Sequence, residues 1–172
     1  MSGGTNVSAA PIVELLSRME DLYSELVRIG EAKTQVIIQN DINNLVKLSQ
    51  QESKCLKQLA SLEQEREEAV QSFLQSKGIK SQLKLTVTEI TKLIFEANER
   101  QEMLAVQERI RTVLENLKFI NDHNQTLIQQ SIHFIEYQLN LHIDYSDQDM
   151  LYRRPEQAAP QYSRPGMMDT RA

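Results

Sequence analysis

The sequence predicts an all-α protein: an elongated antiparallel helical bundle or coiled-coil hairpin of three long helices plus a short connecting helix. Three observations predict it. Apolar residues recur in steps of three and four along most of the chain. Glycine and proline are scarce, and between Pro11 and Ile143 only Gly30 and Gly78 interrupt. Aromatic residues are 5% of the 172, with no Trp, and 25% are charged, which fits one elongated domain better than a globule with a thick core.

Taken in order, residues 1–10 read as a flexible N-terminus, with Ser8 able to cap a first helix that has Pro11 in its first turn. The seam of that helix runs through Ile12, Leu15, Met19, Leu22, Leu26, Ile29 and Val36. Continued in register it meets Asn40, Asn43 and Lys47, so the register fails there. A second series begins at once with Ile38, Ile42, Leu45, Glu52, Leu56, Leu59, Arg66, Val70 and Phe73. Asn40 and Asp41 are good caps at the join, which predicts a tight turn or sharp break.

The stretch "QSKGIKSQ" ends the second helix, with Gly78 suited to a left-handed C-cap and Lys77 and Lys80 near the negative end of the helix dipole. "TVTE", Thr86 to Glu89, has the spacing of a capping box and opens a short helix carrying Ile90, Leu93 and Ile94. Asn98 can cap the last helix, which runs to Ile143 over about 45 residues, or about 65 Å. The helical domain is thus 11–143. Residues 144–172, with three prolines and no period, read as a flexible C-terminal tail.

Composition also limits function. With 24 acidic against 19 basic residues, a net charge of -5 and no basic run, nucleic acid is not an expected partner. No apolar stretch approaches the roughly 20 residues that span a bilayer, and the N-terminus lacks the parts of a signal peptide, so a cytoplasmic location without stable membrane insertion is expected. The single Cys55 reads as a small core residue or a half-exposed bystander. His123, His133 and His142 lie more than two turns apart on one helix and cannot share a metal without outside ligands. The run "EQEREE" is a solvated face paired around Arg66, and no phosphate loop, Cys pair or HExxH is present. An enzyme, a cofactor and a metal are therefore not expected.

The last helix has two unlike halves. Met103, Val106, Ile110, Val113, Leu114 and Leu117 fall within a sector roughly 100° wide, the stripe that one neighbouring core needs. Ile120, Leu127, Ile128, Ile132, Phe134, Ile135, Tyr137, Leu139, Leu141 and Ile143 spread over roughly 240°. Either other helices of the chain surround this half, or it presents apolar surface to a second protein; the second is the expectation. Asn124 and Ser131 fall where the seam continued from Leu117 wants apolar residues. Together with Asn121 they are either register-setting core groups or hydrogen-bonding partners for an incoming helix or backbone.

Three stretches carry a family resemblance. "LLSRMEDLYSELVRIGEAKTQVIIQND" is similar to the first helix and transition of the FlgN family of flagellar export chaperones. "DINNLVKLSQQESKCLKQLASLEQER" is similar to its second helix, through Leu45, Glu52, Leu56, Leu59, Leu62, Glu63 and Arg66. In "INDHNQTLIQQSIHFIEYQL", Asn121, Asn124, Leu127, Ile128, Ser131, Phe134 and Ile135 resemble the family's Asn-x-x-Asn-x-x-Leu-[Leu/Ile] signature.

The resemblance implies a chaperone whose C-terminal part grasps the C-terminal helix of its cargo, the hook-filament junction (hook-associated) proteins. It further implies docking to components of the flagellar type III export apparatus. The expected cargo-binding residues are Asn121, Asn124, Leu127, Ile128, Ser131, Ile132, Phe134, Ile135 and Leu139. The competing expectation is a structural coiled-coil protein or adaptor whose broad face is its own homo-oligomer interface. A peripheral membrane anchor is weaker, because Glu136 and the few Lys or Arg on the polar side disfavour anionic lipid.

Overall fold

The computed structural model describes residues 8–79 and 85–151, with side chains described as far as Ile143. The expected flexible ends lie mostly outside these residues, in 1–7 and 152–172, as does Lys80. Among the described residues are four helices and no strand: α1 (Ala10–Ile38), α2 (Ile42–Ser76), α3 (Val87–Leu93) and α4 (Ala97–Leu151). The fold is all-α, three long helices and a short connecting one. The chain divides into two units, Met1–Ser131 and Ile132–Ala172.

In the first unit, α1 and α2 form an antiparallel hairpin. Arg18 pairs with Glu65 at 3.5 Å and Lys33 with Glu52 at 3.0 Å, so numbers rise on one helix as they fall on the other. The turn stands at the predicted break. Asn40 takes the left-handed conformation, φ 56°, which its short polar side chain tolerates. Its N–H and that of Asp41 close back on the carbonyls of Ile37 and Val36 at 3.0 and 2.9 Å, satisfying the end of α1. Asp41 then caps α2 by accepting from the Asn44 N–H at 3.1 Å. Those bonds to the Asn44 backbone and side chain hold its carboxyl below the usual range.

The far end of α2 stops as the sequence predicts. Gly78 has φ 74°, and the N–H groups of Gly78 and Ile79 bond the carbonyls of Gln75 and Leu74, each at 3.0 Å. Thr86 and Glu89 form the reciprocal capping box that opens α3. Backbone and side-chain bonds from Thr86 lower the Glu89 pKa.

Two cap expectations need correction. α1 has Ala9 rather than Ser8 at its N-cap position, although the Ser8 hydroxyl oxygen accepts from the Ala10 N–H at 3.0 Å; the Ala9 N–H donates to Glu99 Oε2 at 3.0 Å and the Ser8 hydroxyl donates to the other oxygen of that carboxylate. An acid from α4 thus caps α1, an arrangement available only because the two helices begin side by side. α4 itself starts at Ala97, which puts Asn98 inside its first turn.

α4 runs parallel to α1. Arg109 grips both carboxylate oxygens of Glu20 at 2.9 and 3.0 Å, and Asn124 reaches Gly30 and Thr34, sequence separations of 89, 94 and 90. The core is deepest where α3 closes the bundle, with Ile12, Phe73, Leu74, Ile90, Met103 and Val106 fully buried. The second series holds on α2 at Leu59, Val70 and Phe73 but fails earlier, from the end of α1 onward. Ile38, Ile42 and Leu56 are exposed, and Cys55 and Leu62 face the core instead. The reason is rotation: the side of α2 that meets α1 passes through Cys55, Leu59 and Leu62, so Leu56 is carried about 100° away from Cys55. Cys55 is the small core residue of the two roles open to it.

Candidate functional site

The covered part of α4 ends at a polar cluster in the first unit. Gly30 sits inside α1, where a glycine weakens a helix, and the packing explains it. A Cβ there would lie 2.8 Å from Ile120 Cγ2, so only a hydrogen at that position lets α4 come this close. One turn on, Asn124 is 5% exposed and its Nδ2 donates to the Gly30 carbonyl at 2.8 Å. The Thr34 hydroxyl lies 2.6 Å from Asn124 Oδ1 and 3.1 Å from the Gly30 oxygen. With one proton to give, its shorter contact is to Asn124, which closes a ring of three groups. No buried side-chain polar atom among the described residues lacks a partner.

Asn124 is thus buried and hydrogen-bonded within the bundle. It faces α1, and its amide is already engaged. Asn121 is exposed. Ser131 is half-buried, and its hydroxyl donates to the carbonyl of Leu127 at 3.0 Å within the helix.

Past this cluster the large apolar residues of α4 are exposed from Ile128 on, as Leu104, Leu114 and Phe119 before it already are. Counting the separation of 90 from Ile38, the last residue of α1, lands on Ile128, so α1 has nothing further to offer. Leu127 is half-buried and Ile128 is 37% exposed. In the second unit, Ile132, Phe134, Ile135, Tyr137, Leu139, Leu141 and Ile143 are all exposed, Phe134 at 59% and Ile135 at 46%. They form two stripes. Ile132, Ile135, Leu139 and Ile143 share an arc of roughly 80°, and Phe134, Tyr137 and Leu141 share another on nearly the opposite side.

His123, His133 and His142 are exposed on this helix, and among the described residues no group of three or more His, Cys, Asp or Glu could hold a metal ion. No helix among them is long and apolar enough to cross a membrane. Sequence reasoning missed Gly30 as a partner of Asn124. The signal was present in a lone helical glycine, but its neighbour lies 94 residues away.

Contiguous exposed apolar surface of this kind commonly marks sites of interaction with other chains. Residues 1–160 match the family model described as FlgN protein, and the chain belongs to the FlgN family, the flagellar export chaperones. It is also similar to a protein of Bacillus subtilis (strain 168), "Uncharacterized protein YvyG", at 22% identity over 166 residues, covering 96% of this chain and 100% of that one. No solved structure matches it. Family membership makes this a chaperone of flagellum biogenesis and protein export, with flagellar proteins as the general class of partner.

Proposed function

We propose that this chaperone shields the C-terminal helices of hook-filament junction proteins in the cytoplasm before their export, using the uncovered length of α4. The supporting observation is the exposure of Ile128, Ile132, Phe134, Ile135 and Leu139, side chains that a folded protein ordinarily buries. Ile132, Phe134, Ile135 and Leu139 of the second unit carry the site; Leu127, Ile128 and Ser131, on the first, are candidate contacts of their own. Asn121 borders them. Asn124 acts through α1, holding α4 at a fixed rotation.

Cargo helices that assemble through apolar faces associate prematurely unless those faces are buried, so a chaperone that covers them needs no catalysis. Two stripes on opposite sides of one helix are too far apart for a single straight helix to cover. The cargo therefore offers two helical segments, one on the Ile132 side and one on the Phe134 side. Release at the export apparatus follows from the makeup of the face: each aliphatic contact is worth about 1 to 3 kcal/mol and is lost singly.

Binding of Ile128→Asp/Ile135→Asp protein to a purified junction protein, measured by calorimetry, tests the reading. The expected result is binding weakened by roughly a hundredfold or more at unchanged helicity. Undiminished binding removes the site. A stable dimer in sedimentation velocity that buries this face and does not yield to cargo replaces it with the homo-oligomer reading.

A further inference from the structure

α2 carries a second seam that no described element covers. Ile42, Val46, Ser49, Ser53, Leu56 and Ala60 follow at alternating steps of four and three, the repeat that keeps one side of a helix toward a partner. It points roughly 130° away from the buried side at Cys55, Leu59 and Leu62. Ile42 is 59% exposed, and Val46 and Leu56 are each 52% exposed. Along it lies a groove of about 640 Å³ whose lining includes Val46, Ser49, Gln50, Ser53, Lys54 and Lys57.

The charges beside the groove say what fits it. Arg18, Arg28, Arg66, Arg109 and Arg111 are each paired with a glutamate, whereas Lys54 and Lys57 have no ion-pair partner among the described residues. Two unpaired cations bordering an apolar seam, on a chain of net charge -5, favour an acidic counter-surface. Glu52, on the other border, is bound to Lys33 at 3.0 Å and leaves that side neutral.

We propose that the outer face of α2 from Ile42 to Ala60 docks an acidic amphipathic helix of a partner protein, at a site separate from α4. Ser49 and Ser53 in the middle of the seam let a helix backbone approach closely while Ile42, Val46 and Leu56 seat its apolar side chains. The same serines, with no aromatic residue beside them, make a poor anchor for a lipid surface. A second copy of the chain is disfavoured as occupant: placed in parallel it sets Lys57 against Lys57, and placed antiparallel it brings no free acidic border.

The test titrates full-length protein into a labelled synthetic helical peptide with Leu at its heptad core positions and Glu at the flanking ones, followed by fluorescence anisotropy. A matched peptide with Lys in place of Glu is the control. The acidic peptide is expected to bind and the basic one not. Lys54→Glu/Lys57→Glu weakens binding by about tenfold or more, and Val46→Asp removes it, with thermal melts unchanged because all three positions are exposed. Ile128→Asp/Ile135→Asp leaves it intact, which separates this site from the one proposed on α4. Equal binding of both peptides, or full binding by the double lysine variant, overturns the proposal. So does a dimer of the protein alone that Val46→Asp dissolves, or flotation with phosphatidylserine vesicles in place of peptide binding.

Discussion

Met103 and Ile135 are large apolar residues of the same helix, yet the first is fully buried and the second 46% exposed. Nothing in the helix itself accounts for the difference, since apolar side chains become more abundant toward Ile143. The neighbours account for it. Around Met103, α4 shares a core with α1, α2 and α3; in the α1 register, cover ends near Ile128. One helix is thus built to two specifications, a narrow stripe where its own chain supplies the partner and a broad surface where its own chain does not. The change-over falls at Asn124, where a polar ring replaces an apolar contact.

The largest effect separates the two regions outright. Met103→Asp puts a carboxylate among fully buried side chains at a cost of roughly 4 kcal/mol or more, and a thermal melt is expected to show lost cooperative folding. Ile135→Asp leaves that melt unchanged and weakens cargo binding by about tenfold. A smaller effect tests the change-over. Gly30→Ala forces the new methyl against Ile120, and after the gain in helix propensity it destabilises by about 1 to 2 kcal/mol in urea. Adding Ile120→Ala relieves the clash, so the double variant loses less than the two singles together.

Smaller again, Thr34→Val takes the donor from Asn124 Oδ1 and costs about 1 kcal/mol. Asn124→Leu removes the amide but leaves the Thr34 hydroxyl to donate to the Gly30 carbonyl, so it stays within about 1 kcal/mol of the parent while loosening the fixed rotation of α4. The smallest effect is acid sensitivity at the caps. Asp41 and Glu89 have lowered pKa values when folded, so their contribution is complete above about pH 5 and fades as pH falls through the folded values. Asp41→Asn and Glu89→Gln each flatten the acid limb of a stability profile.

Local features were legible in the sequence because their causes are local. The turn at Asn40 and Asp41, the left-handed Gly78 and the capping box from Thr86 to Glu89 each involve groups a few residues apart. The narrow stripe of α4 was also legible, apart from Leu114, which is exposed. What failed depended on distant partners. Ser8 shares the start of α1 with Glu99, 91 residues away, and α2 offers two seams, of which only packing against α1 decides which is buried. Asn124 showed the same limit: its position marked a polar group in an apolar seam, but its role depended on Gly30 and Thr34.

Methyl-resolved NMR of the full-length protein, titrated with a synthetic peptide of a junction protein's C-terminal helix, tests the central claim most directly. The isoleucine methyls at 128, 132, 135 and 143 are expected to shift in proportion to bound peptide, while those of Ile12 and Ile90 stay in place. Shifts confined to the core isoleucines, or a complex formed without any change between Ile128 and Ile143, would contradict the account.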